Sequence, residues 1–358
     1  MARALLYLFR RMFPVVLVFT TWMSAQQSAP QNNQDQQPAA QNRPAQAPQS
    51  NQRDEDQEPV TTLRKDVNVV NIFFNVKDKH AAIIPDLTKA DFELFEDGKP
   101  QNIKYFSKES DLPLTLGIMI DTSPSQMRVL PAEQEAGAEF LKDVMRPKDL
   151  AFLMSFDVEV DLLRDLTSNW KDIERAMSKT RINAGGGSRS SIPGIGQGPI
   201  PGIGNPKGTL LYDAVYLASR EVLSHEVGRK AMILLTDGQD QGSNTRLTEA
   251  VEIAQKADAI VYVILVADRG FYGGGYYGDR DMRKLTEETG GRVIDVGNHP
   301  EKLRDAFNQL SFELRNQYAI GYTPANETKD GSFRKVEIHA KVKDARIQAR
   351  KGYYAPRS

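Results

Sequence analysis

An acidic residue and two hydroxyl residues alternate directly after a run that the sequence predicts to be a buried strand. The run Leu114–Ile120 is almost wholly apolar, and it continues into Asp121-Thr122-Ser123-Pro124-Ser125, here termed the DxSxS loop. Carboxylate and hydroxyl oxygens are the ligands of hard cations such as Mg²⁺, which binds about six oxygens and usually keeps some water. The loop alone cannot fill that shell, so we expect further ligands from other loops.

Two later positions supply such ligands. Thr209 immediately precedes a predicted helix, and Asp237 follows the apolar run Ala231–Leu235. The carboxyl ends of parallel strands meet at one edge of a sheet, and ligands of open α/β sheets bind there. We therefore predict a single cation site formed by Asp121, Ser123, Ser125, Thr209 and Asp237. Mg²⁺ is the expected ion, with Mn²⁺ or Ca²⁺ as alternatives.

Composition excludes several other chemistries. The 358 residues contain no cysteine, which excludes disulfides, zinc–thiolate sites and a thiol nucleophile. The four histidines (His80, His225, His299 and His339) are scattered and form no metal-binding motif. The net charge of −1 argues against a nucleic-acid binder, which would carry an excess of basic residues.

Strands and helices alternate between residues 112 and 314, the range we assign to one α/β domain. Buried-strand patterns at 114–120, 150–156, 231–235 and 259–267 are interspersed with amphipathic helical patterns, among them 131–145 and 210–223. This order predicts a doubly wound, mostly parallel sheet with helices on both faces. In the helix over 131–145 the acidic residues Glu133, Glu135 and Glu139 are expected to face solvent.

The flanking segments are β-rich. An Asp97-Gly98 pair between apolar runs predicts a hairpin in residues 59–111, and residues 315–358 contain strand patterns at 317–322, 333–342 and 346–353. Three strands alone make a marginal core. We therefore predict one small β-sandwich built from both segments; two independent β modules are the alternative.

The N-terminal residues have the pattern of an export signal followed by a tether. Arginines precede a short apolar run that ends in small residues near Ala25, and the run is shorter than the ~20 residues of a membrane span. Residues 26–58 are rich in Gln, Asn, Pro and Ala and predict a disordered tether. We expect a protein exported to the periplasm, cell surface or medium, without a membrane span in the mature chain; an uncleaved anchor is the alternative.

At this point the chain resembles a known family. The order DTSPS, then GT before LYDAV, then LLTDG resembles the von Willebrand factor A (vWA) domain with its metal-ion-dependent adhesion site (MIDAS). The flanks, including LTKADFELFEDG and QYAIGYTP, resemble the VWFA-related proteins typical of Acidobacteria. The resemblance implies that Asp121, Ser123 and Ser125 hold the ion, that Thr209 coordinates it in some states, and that Asp237 often acts through water.

The resemblance also implies a function without catalysis, in which a partner protein's Asp or Glu carboxylate completes the metal shell. Two glycine-rich stretches, 185–208 and 269–278, are expected to rim the site, and Phe271, Tyr272, Tyr276 and Tyr277 would offer aromatic contact area. A metal-dependent hydrolase is one alternative, but Ser123 stands where a second Asp would be expected. The other alternative is a structural cell-envelope protein with a vestigial site.

Overall fold

The computed structural model describes residues 69–108, 112–183, 208–266, 278–297 and 299–357. Its strands are β1 (Val70–Lys77), β2 (Phe92–Glu96), β3 (Lys99–Gln101), β4 (Tyr105–Lys108), β5 (Leu114–Asp121), β6 (Leu150–Phe156), β7 (Val160–Thr167), β8 (Arg229–Thr236), β9 (Ala259–Leu265), β10 (Val293–Asp295), β11 (Tyr318–Tyr322), β12 (Phe333–Ala340), β13 (Arg346–Ala349) and β14 (Gly352–Tyr354). Its α-helices are α1 (Leu130–Val144), α2 (Trp170–Lys179), α3 (Leu211–Leu217), α4 (Leu247–Lys256), α5 (Gly278–Thr289) and α6 (Leu303–Arg315).

The central sheet has the strand order β10-β9-β8-β5-β6-β7. Neighbouring strands are parallel from β10 to β6, and β7 is antiparallel to β6. The chain leaves β5 toward β6 and later returns to β8 on the other side of β5. The point where the winding direction changes therefore lies between β5 and β8, which is where ligands bind in open α/β sheets.

Two apolar cores cover the two faces of this sheet. Alternate residues of β5 point to opposite sides, so Ile118 and Ile120 pack with α1, α2 and α6, whereas Met119 packs with α3, α4 and α5. Every residue of β5 is buried, as expected for a strand covered on both faces. The predicted doubly wound sheet is confirmed.

The remaining strands form a sandwich of two four-stranded antiparallel sheets, with the orders β13-β1-β11-β4 and β14-β12-β2-β3. Each sheet combines strands from before and after the α/β domain, and their facing side chains share one core that includes Phe74, Phe92 and Tyr318. The predicted single sandwich is therefore confirmed, because neither segment has a sheet of its own within the described residues.

Two local expectations about the sandwich have different outcomes. The hairpin between β2 and β3 is present, with Asp97 and Gly98 both at positive φ, as a tight two-residue turn requires. The prediction of one strand over 346–353 is wrong. β13 pairs with β1 in one sheet, and β14 pairs with β12 in the other, so the chain crosses between sheets at Arg350-Lys351.

The helix predicted over 210–223 is also less regular than expected. The α-helix ends at Leu217, and a π-helical segment, Ala218–Val222, continues it. None of the helices among the described residues has the length and apolar character needed to cross a membrane. The predicted signal (1–25), the tether (26–58) and nearly all of the two glycine-rich stretches lie outside the described residues.

Candidate metal centre

The DxSxS loop starts at the carboxyl end of β5. Asp121 is completely buried, and its Oδ1 accepts a hydrogen bond of 2.9 Å from the backbone N–H of Ser123. The Oγ atoms of Ser123 and Ser125 lie 2.9 Å apart, so both hydroxyls are on one side of the loop. A 3₁₀ turn at Pro124–Gln126 then leads toward α1. The loop thus presents a carboxylate and two hydroxyls, as the spacing predicted.

The end of β8 meets this loop directly. Thr236 Oγ1 donates a hydrogen bond of 2.7 Å to Asp121 Oδ2 and accepts one of 3.0 Å from the N–H of Gly238. The next residue, Asp237, is almost fully buried, and its Oδ1 accepts a hydrogen bond of 3.1 Å from the N–H of Gln239. Asp121 and Asp237 therefore lie at the same edge of the sheet, on neighbouring strands.

Thr209 is held beside the loop that follows β8. Its backbone exchanges two hydrogen bonds with Gln241, at 3.2 Å and 2.9 Å. The N–H of Leu210 donates at 2.7 Å to the carbonyl of Asp157, just after β6. The segment before α3 is thus attached to the loops of two other strands, and it brings buried Thr209 to the predicted edge.

Asp157 is an organising residue that the sequence analysis did not single out. Its Oδ2 accepts from Thr122 Oγ1 at 2.5 Å, and its Oδ1 accepts from Asn183 Nδ2 at 3.1 Å. The carboxylate therefore ties the DxSxS loop to the segment after α2. Asp157 directly follows the predicted strand 150–156. The expectation that residues after parallel strands meet at one edge of the sheet, which predicted the positions of Asp121 and Asp237, therefore applies to Asp157 as well.

In the absence of a cation, the site disfavours the simultaneous ionisation of Asp121 and Asp237. Burial, followed by the negative charge of Asp237, raises the pKa of Asp121 to about 7, although the hydrogen bonds from Ser123 and Thr236 act in the opposite direction. A bound cation would remove this conflict, because it favours the charged form of a carboxyl beside it.

A third carboxyl belongs to the same environment, contrary to prediction. Glu133 was expected on a solvated helix face, but its side chain is completely buried. Burial first, and then the charges of Asp121 and Asp237, raise its pKa well above the usual value. Within the described part of the chain, neither of its carboxyl oxygens has a hydrogen-bond partner. The predicted solvent-facing position is wrong for Glu133, whereas Glu135 and Glu139 are exposed.

Asp121 thus ends β5, and the other four predicted ligand residues lie on loops at the same edge of the sheet. Their donor set consists of carboxylate and hydroxyl oxygens, which suits a hard cation. Among the described residues, no three His, Cys, Asp or Glu side chains are grouped so as to hold a metal ion by themselves. Any ion here would depend on the hydroxyls, and metal ligation stays a prediction. Phe271, Tyr272, Tyr276 and Tyr277 lie outside the described residues.

Comparison by sequence gives no relatives. No protein-family model matches the chain, and no curated protein matches it.

Comparison by structure gives neighbours with the vWA fold. The von Willebrand factor type A protein from Catenulispora acidiphila is 11% identical, with 82% of this chain and 74% of that chain covered and a TM-score of 0.44. The vWF domain of the type V pili tip protein Mfa5 from Porphyromonas gingivalis is 12% identical, with 57% and 95% covered and a TM-score of 0.43. Proximal thread matrix protein 1 from the mussel byssus, in a structure with a zinc-occupied MIDAS motif, is 18% identical, with 62% and 50% covered and a TM-score of 0.44.

Likenesses at these identities concern the arrangement of strands and helices. The narrower resemblance to the Acidobacteria-type VWFA-related proteins stays a prediction. The chain has the doubly wound sheet of the α/β class, and its neighbours among solved structures include vWA domains of low sequence identity.

Proposed function

We propose that this protein is an exported, non-enzymatic binding protein that captures a protein partner through a divalent cation at the DxSxS loop. Asp121, Ser123, Ser125, Thr209 and Asp237 would hold the ion, some of them through water. Mg²⁺ is the proposed ion, with Mn²⁺ or Ca²⁺ as alternatives. The partner would offer an Asp or Glu carboxylate to the remaining coordination position.

The observation that carries this proposal is the fixed orientation of Asp121. Each of its carboxylate oxygens accepts one hydrogen bond, from Ser123 N–H and Thr236 Oγ1, so the group is held in one position at the switch point of the sheet. Each oxygen retains a second lone pair for a ligand. The buried and unpartnered carboxyl of Glu133 is further support, because a nearby cation would compensate the cost of burying its charged form.

A binding role fits this arrangement better than hydrolysis. A hydrolytic mechanism needs a positioned base, most often histidine. His80 follows β1 and His339 is in β12, so both belong to the sandwich, and His225 lies in the turn before β8, at the other end of that strand. His299 follows β10 at the outer strand of the central sheet, where its Nδ1 lies 2.9 Å from Glu301 Oε1. Ser125, by contrast, is partly exposed at the end of the DxSxS loop and leaves an approach for a partner's carboxylate.

Thermal unfolding of the full chain in Mg²⁺ and in EDTA tests the metal part of the proposal. Binding to the folded state alone stabilises it by about 2.7 kcal/mol at a hundred times Kd. We expect this stabilisation in the wild type and its loss in Asp121→Asn, which keeps the size of the side chain. Equal unfolding curves with and without Mg²⁺ would contradict a metal centre.

The partner part needs a separate probe. An array of peptides with single Asp or Glu residues, beside their Asn and Gln counterparts, is incubated with the wild type or with Asp121→Asn. We expect binding that requires both the carboxylate and Mg²⁺ and that EDTA reverses. If Mg²⁺ stabilises the protein but EDTA does not change peptide binding, the result would instead favour a structural cell-envelope protein.

A further inference from the structure

Glu133 occupies a position that a carboxylate normally avoids. It lies in the first turn of α1 with a relative exposure of 0%. Neither Oε1 nor Oε2 has a hydrogen-bond partner among the described residues, and no Lys or Arg there forms an ion pair with it. A buried carboxyl without partners costs several kcal/mol of folding free energy. Such a group indicates that something outside the described polypeptide satisfies it.

A second unsatisfied acceptor lies between the DxSxS loop and α1. Gln126, at the end of the DxSxS loop, is 1% exposed, and its Oε1 also has no hydrogen-bond partner within the described residues. Gln126 ends the 3₁₀ turn at Pro124–Gln126, and Glu133 lies in the first turn of α1. Both unsatisfied side chains therefore belong to the segment that leads from the DxSxS loop into α1.

The charges around Glu133 favour one kind of ligand. Asp121 and Asp237 both act on Glu133 through their negative charge, so the three carboxyls belong to one electrostatic cluster. Among the described ion pairs, neither Asp121 nor Glu133 has a basic partner. A group that carries positive charge, or that donates hydrogen bonds from a positively charged centre, would compensate these carboxyls.

Water bound to a cation meets both requirements. Asp121, Asp237 and Glu133 are not grouped closely enough to hold one ion directly. Mg²⁺ usually keeps several waters in its shell, and a metal-bound water is a strong hydrogen-bond donor. The three unpartnered oxygens of Gln126 and Glu133 are all acceptors.

We propose that Glu133 and Gln126 accept hydrogen bonds from water molecules bound to the cation, and that Glu133 thereby contributes a third negative charge to the metal centre. The inference rests on the proposed function, since it requires an ion at the DxSxS loop. It makes Glu133 a positioning residue that acts on the metal through water. Outer partners of this kind typically change metal affinity 10- to 100-fold.

Isothermal titration of the full chain with Mg²⁺ tests the inference in the wild type, Glu133→Gln and Glu135→Gln. Glu133→Gln keeps size and one acceptor but removes the charge, so we expect about 10- to 100-fold weaker binding. Glu135→Gln is the matched control, because it removes the same charge from the same helix at a side chain that is 74% exposed. Its affinity should equal that of the wild type.

Stability in EDTA separates this role from a purely structural one. Because the carboxyl is unsatisfied without metal, Glu133→Gln and a second variant, Glu133→Met, should unfold at the same or a higher temperature than the metal-free wild type. Weaker Mg²⁺ binding with undiminished stability in EDTA supports the inference. Unchanged affinity, or lower stability of both variants in EDTA, overturns it and leaves the proposed function standing. A wild type that binds no Mg²⁺ overturns both.

Discussion

Thr236 Oγ1 donates a hydrogen bond of 2.7 Å to Asp121 Oδ2, and this contact joins the carboxyl ends of β8 and β5 at the switch point of the sheet. The same hydroxyl accepts from the N–H of Gly238, so it also fixes the backbone beside Asp237. One side chain therefore positions both carboxylates of the candidate metal centre without being a predicted ligand itself.

Replacing Thr236 with Val should weaken both folding and metal binding. Valine keeps the shape and β propensity of threonine, but it leaves Asp121 Oδ2 and the Gly238 N–H without their partner. We expect a loss of about 1–3 kcal/mol in the free energy of unfolding, measured by urea denaturation in EDTA. Mg²⁺ affinity, measured by calorimetry, should fall about 10- to 100-fold because the carboxylate loses its orientation.

Ser219→Ala is the matched control for this change. Ser219 is completely buried and donates to the carbonyl of Val215, which belongs to its own helix and lies away from the DxSxS loop. Its loss should reduce stability while leaving Mg²⁺ affinity unchanged. If Thr236→Val binds Mg²⁺ with the affinity of the wild type, the hydrogen bond from Thr236 is not needed to orient Asp121.

The contribution of Asp121 to the stability of the metal-free protein should fall as pH rises from about 4 to about 7. The pKa of Asp121 is about 7 in the folded state, above the value of about 3.9 expected in the unfolded chain. The folded state therefore binds the proton more tightly, and the stability that protonation provides is lost as pH rises through the folded pKa. At about 1.4 kcal/mol per pKa unit, the loss is on the order of 3–4 kcal/mol.

The contribution of Asp121 is measured as the difference in free energy of unfolding between the wild type and Asp121→Asn in EDTA at each pH. The other carboxyls titrate in both proteins, so this difference reports on Asp121. The free energy of unfolding should fall less with rising pH in Asp121→Asn than in the wild type. In Mg²⁺ the wild type should instead gain stability over the same pH window, since the cation binds the deprotonated carboxylate. Parallel pH profiles of the two proteins in EDTA would contradict the raised pKa.

Gly278 is the point where α5 contacts the Asp237 loop, and Gly278→Ala should disturb the site. A Cβ atom at Gly278 would lie 2.6 Å from the carbonyl oxygen of Gly238 and 3.0 Å from that of Asp237. These are backbone atoms, so the loop itself must move. We expect a loss of about 1–3 kcal/mol in stability and weaker Mg²⁺ binding by calorimetry.

Gly137→Ala provides the comparison for that substitution. Its Cβ would approach the Sδ atom of Met177 at 3.0 Å, and this flexible side chain can move aside. The variant should therefore bind Mg²⁺ as the wild type does. Equal affinity in Gly278→Ala would mean that the position of Asp237 does not matter for the ion.

The positions of Asp121 and Asp237 could be predicted because they follow a rule of backbone topology. Asp121 comes directly after a nearly continuous apolar run and Asp237 comes one residue after another, and such runs become parallel strands whose carboxyl ends share an edge. The rule needs no knowledge of side-chain packing. It also applies to Asp157, which the analysis passed over because the residue belongs to no recognised motif.

Glu133 could not be located in this way. Periodicity assigns a charged residue near an amphipathic boundary to solvent. In the structure the buried stripe contains Leu130, Glu133 and Gly137, while Ala132 is half-buried. The burial of an acid depends on the charges that it meets across the fold, and the local pattern of one helix does not contain that information.

The split of residues 346–353 into β13 and β14 has a related cause. Both halves have strand propensity, and the change of partner at Arg350 is decided by tertiary contacts. Arg350 donates to the carbonyl of Asn71 in one sheet of the sandwich at 2.9 Å and to Asp258 in the α/β domain. A single-strand pattern gives no sign of such an anchor.

A buried polar cluster in the sandwich supports the last prediction. Glu96 on β2 accepts hydrogen bonds from Tyr322 Oη at 2.7 Å and Tyr353 Oη at 3.0 Å. The Arg334 guanidinium lies 3.8 Å from its other oxygen, and the two charged side chains are only 2% and 3% exposed. Because Tyr322 belongs to the opposite sheet, the cluster links the two layers through strands from both ends of the chain.

Glu96→Leu should therefore destabilise the protein strongly, by about 3–5 kcal/mol, because it leaves the buried charge of Arg334 without its counter-charge. Tyr322→Phe removes one neutral donor and should cost about 0.5–1.5 kcal/mol. The double variant Glu96→Leu/Arg334→Met should recover part of the loss, since it removes both charges together. Urea denaturation of the wild type, Glu96→Leu, Arg334→Met and the double variant measures the coupling. Additive losses of the two single variants would mean that Glu96 and Arg334 do not stabilise each other.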